Sequence, residues 1–247
     1  MESTSFYITL PSNASMEYYS NNTASCYQIR LPRTIYLKGR YEVALAEIQY
    51  PHTWETFNDR INYRFSIATE DRNVHHLIVP QGYYSEMDKI TEALNDTISK
   101  DFGDNITFIY NPVSGKVKVY IKNDYVVNLS HGLADILGFK GNRAYTETTE
   151  GPFLAYIQGG FNTLFVYCSI CESQIVGDAH VPLLRTVYVE GTQGQTINKI
   201  YDSPHYVPVN TSKFDTIEIN IKNDMDELVS FQTGKVLCKL HFRQRAL

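Results

Sequence analysis

The residues most suggestive of chemistry are two cysteines in the segment FVYCSICESQIVGD (165–178). Cys168 and Cys171 have the Cys-x-x-Cys spacing of zinc sites and of thiol–disulfide oxidoreductases. Both kinds of site need the sulfurs to converge, because a metal gathers its thiolates around one point and a disulfide needs Cα atoms within about 7 Å. The local structure of this segment therefore decides whether a metal or redox site is expected.

The segment 162–170 has the residue alternation of a β-strand. One face would carry Leu164, Val166, Cys168 and Ile170, and the other Phe165, Tyr167, Ser169 and Cys171. A strand rises about 3.3 Å per residue, which places Cys168 and Cys171 roughly 10 Å apart on opposite faces. No second Cys-x-x-Cys pair occurs in the chain. We therefore predict two strand thiols and no metal or redox site.

The remaining polar residues show no catalytic or metal-binding pattern. His75 and His76 are adjacent in an extended segment, so their side chains should point in opposite directions, and the other five histidines are scattered. The motifs of nucleophilic, phosphate-binding and zinc-protease sites are missing. Glu42, Glu47 and Asp178 could form an acid–base pair in space, but solvent-facing strand and turn positions explain them more simply. We predict no catalytic residue, metal or cofactor, and hence no enzyme.

Composition restricts the partners. The chain has 247 residues and a net charge of −5, with 22 basic and 27 acidic residues well mixed along it. Such a balance argues against a specific nucleic-acid partner, which would favour a basic excess or stripe. No apolar run is long enough for a membrane span, and the first residues lack the features of a signal peptide. We expect a protein without a membrane partner, made and kept inside a cell.

Strand signals dominate the two ends of the chain. The 19 tyrosines and 12 phenylalanines favour pleated, half-buried surfaces, and apolar and polar residues alternate with a period of two. The predicted strands are 6–10, 26–31, 41–50, 162–170, 182–190, 196–201, 214–222 and 235–243. We predict a mainly β fold, an eight-stranded antiparallel jelly-roll sandwich, although the same count also suits other sandwiches and small barrels.

The middle of the chain differs, because it alternates hairpin and helix patterns. A hairpin over 61–80 is followed by a helix over 83–100, a hairpin over 106–121 and a short helix over 130–139. The longer helix has a capping-box-like start at Ser85 and an apolar stripe with helical spacing. We therefore predict a sandwich formed by residues 1–60 and 146–247, with an inserted α+β unit at 61–145.

Several long segments of the sandwich resemble a known family. These are SFYITLPSNASMEYYSNNTASCYQIRLP (5–32), YEVALAEIQYPHTW (41–54), FNTLFVYCSICESQIVGDAHVPLLR (161–185), KIYDSPHYVPV (199–209), FDTIEINI (214–221) and GKVLCKLHFR (234–243). They resemble the minor capsid (penton) protein of Polinton/Maverick virus-like transposons, which is related to virophage-type penton proteins. The resemblance spans nearly the whole β-part, and the insert is similar in layout only.

The resemblance implies a structural role without catalytic residues. It implies a jelly-roll homopentamer at the five-fold vertices of an icosahedral particle, with the major capsid protein of the same element as its partner. The implied location is the virion, after synthesis in the host cytoplasm. A closed ring of this kind needs two different complementary faces on each subunit.

Tyrosines and the basic C-terminal segment are the candidates for these faces, because Tyr and Arg are enriched at protein interfaces. For each residue, ordinary sheet packing or a solvated chain end is the simpler alternative. The candidate subunit-interface residues are Tyr18, Tyr19, Tyr201, Tyr206, Arg243 and Arg245.

Two other function classes remain open from the sequence. A jelly-roll binding module, trimeric in some proteins, would attach to a carbohydrate or a cell-surface receptor and would show an exposed cluster of aromatic and acid or amide side chains on one sheet face. An enzyme on a cupin-like scaffold would need a cluster of His and Glu metal ligands. The sequence locates neither cluster.

Overall fold

The chain folds into two compact units, each dominated by antiparallel β-structure. The computed structural model describes residues 5–57, 63–69, 71, 73–157, 162–224 and 226–245. Clustering of contacts gives a first unit of residues 1–54 with 161–247 and a second unit of residues 55–160. The fold is therefore mainly β, built from several antiparallel sheets.

Within the described ranges the chain forms eighteen strands and two α-helices. In chain order these are β1 (Ser5–Pro11), β2 (Cys26–Tyr36), β3 (Tyr41–Pro51), β4 (Arg64–Ala68), β5 (Val74–Ile78), α1 (Met87–Phe102), β6 (Ile106–Asn111), β7 (Lys116–Ile121), β8 (Val126–Leu129), α2 (His131–Leu137), β9 (Ala144–Tyr145), β10 (Thr149–Glu150), β11 (Thr163–Cys168), β12 (Gln174–Val176), β13 (Ala179–Val181), β14 (Leu183–Tyr188), β15 (Thr196–Ile200), β16 (Val207–Pro208), β17 (Lys213–Lys222) and β18 (Leu237–Gln244).

Two sheets of the first unit share one hydrophobic core. The first sheet has the strand order β1-β18-β3-β15, with β16 also paired to β3, and the second has the order β14-β11-β17-β2. All eight segments predicted as strands from the sequence form strands in these two sheets. The short β12–β13 hairpin forms a separate two-stranded sheet.

Alternating residues place this core between the two sheets. In β17, Ile217, Ile219 and Ile221 are fully buried, whereas the intervening polar residues are half-exposed. In β18, Leu240 and Phe242 are likewise fully buried. Because side chains alternate between the faces of a strand, burying one face leaves the other free to build a surface.

The second unit has its own core, formed by two small sheets and two helices. Its sheets have the orders β5-β4-β8-β9 and β10-β7-β6. Ile90, Leu94 and Ile98 form the fully buried stripe of α1. The Asn95 side chain joins this helix to β6, because it donates to the Phe108 carbonyl at 2.9 Å and accepts from the Phe108 N–H at 2.8 Å.

The start of α1 and the bounds of the insert differ from the predictions. The helix is capped at Glu86 without a side-chain cap bond, so Ser85 does not form the predicted cap. The second unit is longer at both ends than 61–145, because Phe57 is fully buried in its core and Ile157 packs against the same core. The predicted boundary at 60/61 itself lies outside the described residues.

Candidate interaction surface

The outer face of the first sheet carries a cluster of aromatic and charged side chains. Strand β18 pairs with β1 on one side and with β3 on the other, and His241 lies opposite Tyr7 while Arg243 lies opposite Glu42. Phe242, which lies between them in β18, points into the core, so His241 and Arg243 point outwards. We call the set Tyr7, Glu42, Tyr206, His241 and Arg243 the aromatic–cation layer.

His241 lies at the centre of this layer and contacts two tyrosines. The Tyr7 ring stacks on the imidazole with centroids 4.4 Å apart and planes 16° apart. The Tyr206 hydroxyl lies 2.7 Å from His241 Nδ1, which is a short hydrogen bond. Tyr206 reaches this position because it immediately precedes β16, which pairs with β3.

Arg243 holds the other side of Tyr206. Its Cζ lies 3.4 Å from the centroid of the Tyr206 ring, a cation–π contact, and its Nε donates to Glu42 Oε1 at 2.6 Å. The Arg243 side chain is 48% exposed, so this ion pair contributes about 1 kcal/mol at most to folding stability. Its main effect is to fix the orientation of the rings, and ordered Tyr and Arg side chains are what protein interfaces favour.

The imidazole in this layer is held in its neutral form. Burial first, and the charge of Arg243 second, lower the pKa of His241 below its usual value. A group with a lowered folded-state pKa contributes stability above its unfolded pKa, and this contribution is lost as the pH falls through the folded pKa. The lowered pKa therefore keeps His241 neutral at neutral pH, where its tautomer decides whether Nδ1 or the Tyr206 hydroxyl donates the hydrogen bond.

The structure brings Tyr206 and Arg243 together, but it places Tyr18 and Tyr19 elsewhere. The Tyr18 ring, 60% exposed, receives the Arg30 guanidinium 4.6 Å from its centroid. The Tyr19 hydroxyl lies 3.5 Å from the Thr216 hydroxyl. Arg30 and Thr216 belong to β2 and β17, so this tyrosine pair covers the second sheet instead of the first.

Tyr201 and Arg245 occupy two further positions. The Tyr201 ring packs against the Arg185 guanidinium, with Cζ 3.5 Å from its centroid, and burial raises the pKa of its hydroxyl. Arg245 follows β18, and its N–H donates to the Arg40 carbonyl at 2.9 Å. The six sequence-predicted residues therefore lie at four places in the first unit, and Tyr206 and Arg243 are brought into contact from different segments of the chain.

Sequence reasoning missed Tyr7, Glu42 and His241 as members of this layer. Alternation along their strands puts all three on the face that points away from the core. The missing information was the register, which decides that Tyr7 lies opposite His241 and that Glu42 lies opposite Arg243.

The Cys-x-x-Cys segment forms a turn instead of a continuous strand. Strand β11 ends at Cys168, and the Cys171 N–H donates to the Cys168 carbonyl at 3.1 Å, which closes a four-residue turn. Both side chains are 1% exposed. The prediction that they lie on opposite faces roughly 10 Å apart is wrong, because the turn brings its first and last residues together and both join the same core.

These thiols are poorly suited to nucleophilic or metal chemistry as they stand. The hydrogen bond that the Cys171 thiol donates to Cys168, followed by burial, raises the pKa of Cys171 far above its usual value. Burial also raises the pKa of Cys238, to about 12. A thiolate is the reactive and metal-binding form of cysteine.

Across the part of the chain that the structure describes, no three His, Cys, Asp or Glu side chains are placed to hold a metal ion. No helix there is long and apolar enough to cross a membrane.

Comparison with known proteins gives a likeness of fold. No protein-family model and no curated protein matches the chain. Among solved structures, the chain is similar to the crystal structure of the mavirus penton protein, with a TM-score of 0.53 and 14% sequence identity. The alignment covers 98% of this chain and 99% of that one, so both units take part in the likeness.

Proposed function

We propose that this protein is a structural capsid subunit that forms the vertex of an icosahedral virus-like particle as a homopentamer. The observation that carries the proposal is the likeness of fold to the mavirus penton protein over 98% of this chain. A chance likeness between β-sandwiches would leave the inserted unit unmatched, whereas this alignment includes it. At 14% identity the likeness concerns the fold, and the role is our inference from it.

The strand order supports a jelly roll as the architecture of the first unit. Its two sheets contain four principal strands each, in the orders β1-β18-β3-β15 and β14-β11-β17-β2. Successive principal strands mostly alternate between the sheets, which is the arrangement of an eight-stranded double-sheet jelly roll, and viral capsid subunits commonly use that fold. We therefore assign the eight-stranded jelly roll as part of this proposal.

Membership of the Polinton/Maverick group and the partner follow from the sequence resemblance. The segments 5–32, 41–54 and 161–185 carry it, and they include β1, β3 and β11 of the sandwich. On this basis we propose that the pentamer occupies the vertex of the virion and contacts the major capsid protein of the same element. We also propose that the protein is not an enzyme, which agrees with the strongly raised pKa of the buried Cys171 thiol.

The aromatic–cation layer is our candidate for one of the two lateral faces of the subunit. Its rings are held in fixed orientations, so that binding a neighbour would cost little further side-chain entropy. Tyr7 is 58% exposed and does not belong to the hydrophobic core. It is therefore the side chain whose removal should weaken association while leaving the fold intact.

Light scattering coupled to size-exclusion chromatography tests the proposal. A mass five times that of the 28.3 kDa chain is expected over a range of concentrations. Tyr7→Ala should lower that mass towards one subunit at low concentration, whereas the control Tyr120→Ala, on the exposed face of β7 in the second unit, should leave it unchanged. A protein that stays monomeric at every concentration would count against self-assembly.

A second candidate function is attachment to a carbohydrate or a receptor. The same layer favours it, because it presents aromatic rings beside an acid and a guanidinium on one sheet face, a combination that sugar-binding surfaces use. This hypothesis predicts a trimer or a monomer that binds carbohydrates on a glycan array. A pentamer without glycan binding would eliminate it.

A further inference from the structure

An open cavity of about 430 Å³ lies in the first unit, where the turn between β2 and β3 meets the end of β18. Its walls come from the β2–β3 turn, from the segment 208–212 and from the last described residues of the chain. The charged and polar residues of the lining are Arg40, Arg245, Glu172, Asn210, Thr211 and Ser212. A cavity of this size is comparable with pockets that hold drug-sized ligands, and it is far larger than a single bound ion needs.

Two arginines whose backbones are joined by a hydrogen bond both line this cavity. Arg243 lies opposite Glu42, and two residues further on the Arg245 N–H bonds to the Arg40 carbonyl at 2.9 Å. Neither Arg40 nor Arg245 has a carboxylate within ion-pair distance among the described residues, although Arg243 has one at 2.6 Å.

Two like charges on neighbouring chain segments repel each other, and an anion bound between them removes that repulsion. Arg side chains bind carboxylates and phosphates through paired hydrogen bonds. The cavity therefore offers a pair of guanidinium groups to an anionic ligand.

The other walls decide between the two kinds of anion. Glu172 lines the same cavity, so a continuous polyanion such as a nucleic-acid backbone would meet a repelling charge there. A peptide presents discrete carboxylates together with neutral N–H donors, which suit Glu172. The loop that closes the site is held firmly, because Asn210 Nδ2 donates to the Ser169 and Cys171 carbonyls at 3.0 and 3.1 Å.

We propose that this cavity binds an acidic peptide segment, with Arg40 and Arg245 receiving its carboxylates and Glu172 its N–H donors. In a capsid vertex the segment would be an arm of a neighbouring capsid chain, and this identification of the occupant rests on the proposed function. The binding site itself does not depend on it.

Ligand-observed NMR on the full chain tests the site. The probes are acetyl-Gly-Asp-Glu-Gly-amide, its neutral counterpart acetyl-Gly-Asn-Gln-Gly-amide, inorganic phosphate and a short single-stranded oligothymidylate. The acidic peptide should bind, and the neutral peptide should bind at least about tenfold more weakly because its charge-assisted hydrogen bonds are lost. Arg40→Gln and Arg245→Gln should each weaken the acidic peptide about tenfold.

Arg143→Gln is the matched control, because Arg143 is an exposed arginine of the second unit that packs near the Tyr145 ring. It should leave peptide binding unchanged. Equal binding of the neutral and acidic peptides, or no binding of either, would overturn the proposal. Tighter binding of phosphate or oligothymidylate than of the acidic peptide would overturn it as well, in favour of a phosphate site.

Light scattering on the same samples separates this inference from the proposed function. Pentamers that do not bind the peptide would remove the acidic-peptide site and leave the vertex role in place. Peptide binding by a protein that never assembles would retain the site and remove its assignment to a neighbouring capsid chain.

Discussion

Replacing Ile219 by alanine should destabilise the first unit strongly. Ile219 lies in the central strand β17, where it is flanked by Cys168 of β11 and Tyr27 of β2, and all three side chains are at least 99% buried. Neighbours on both sides are fixed by ladder hydrogen bonds, so they cannot collapse fully into the space that the substitution leaves.

The size of the effect follows from what is removed. Ile→Ala deletes three carbon groups, each worth about 0.8 kcal/mol on transfer from water, or roughly 2.4 kcal/mol together. The incompletely filled cavity adds to this, so the expected loss is about 3 to 4 kcal/mol in the free energy of unfolding. For a protein of this size that corresponds to a fall in Tm of roughly 6 to 16 °C.

Trp54 gives a specific assay for this loss. It is the only tryptophan of the chain, and it packs against the core of the first unit. Urea unfolding followed by its fluorescence should show a lower midpoint for Ile219→Ala. The control Asp215→Ala, an exposed residue of the same strand, should change stability by less than about 0.5 kcal/mol. A loss below about 1 kcal/mol for Ile219→Ala would refute the two-sheet core as described.

Three further predictions concern single sites. Gly138→Ala should lower the Tm of the second unit, measured by circular dichroism, because Gly138 has φ +75 and a Cβ there would collide with the Phe153 carbonyl. The control Gly177→Ala, at φ +62 in open space, should cost only about 1 kcal/mol. Equal losses in the two variants would contradict the clash. The His52 ring stacks on Trp54 with centroids 4.1 Å apart, and burial lowers the pKa of His52. The free energy of unfolding should therefore fall as the pH drops below about 6.5, and His52→Gln should weaken this pH dependence. An unchanged pH profile in the variant would show that His52 does not cause the loss of stability. With a thiol reagent, the half-exposed Cys26 should react first, and the three buried cysteines should react only as fast as the protein unfolds locally. Labelling followed by mass spectrometry measures the order of reaction. Early labelling of Cys238 would be inconsistent with its burial.

The sequence was sufficient to locate the strands but not to predict which residues of neighbouring strands lie opposite each other. Period-two alternation located β17 and β18 because each buries one face, and burial of that face is what the pattern reports. Alternation is blind to register, so it could not show that Tyr7 meets His241 across β1 and β18.

Turns that continue the alternation of a strand could not be predicted from the sequence either. The alternation in 164–170 continues past the point where β11 ends, so a turn from Cys168 to Cys171 has the same pattern as a strand. The insert was predicted too short because Phe57 and Ile157 are apolar residues outside its helices and hairpins, and only tertiary packing assigns them to its core. The cavity with Arg40 and Arg245 is lined by four separate segments of the chain, so no single stretch of the sequence predicts it.

The most direct test of the vertex role is electron microscopy of the purified chain, with particle images averaged without imposed symmetry. We expect closed rings with five-fold rotational symmetry, because a vertex subunit must join its copies through two different complementary faces. Three-fold particles, or averages without rotational symmetry at concentrations where the protein is associated, would contradict it.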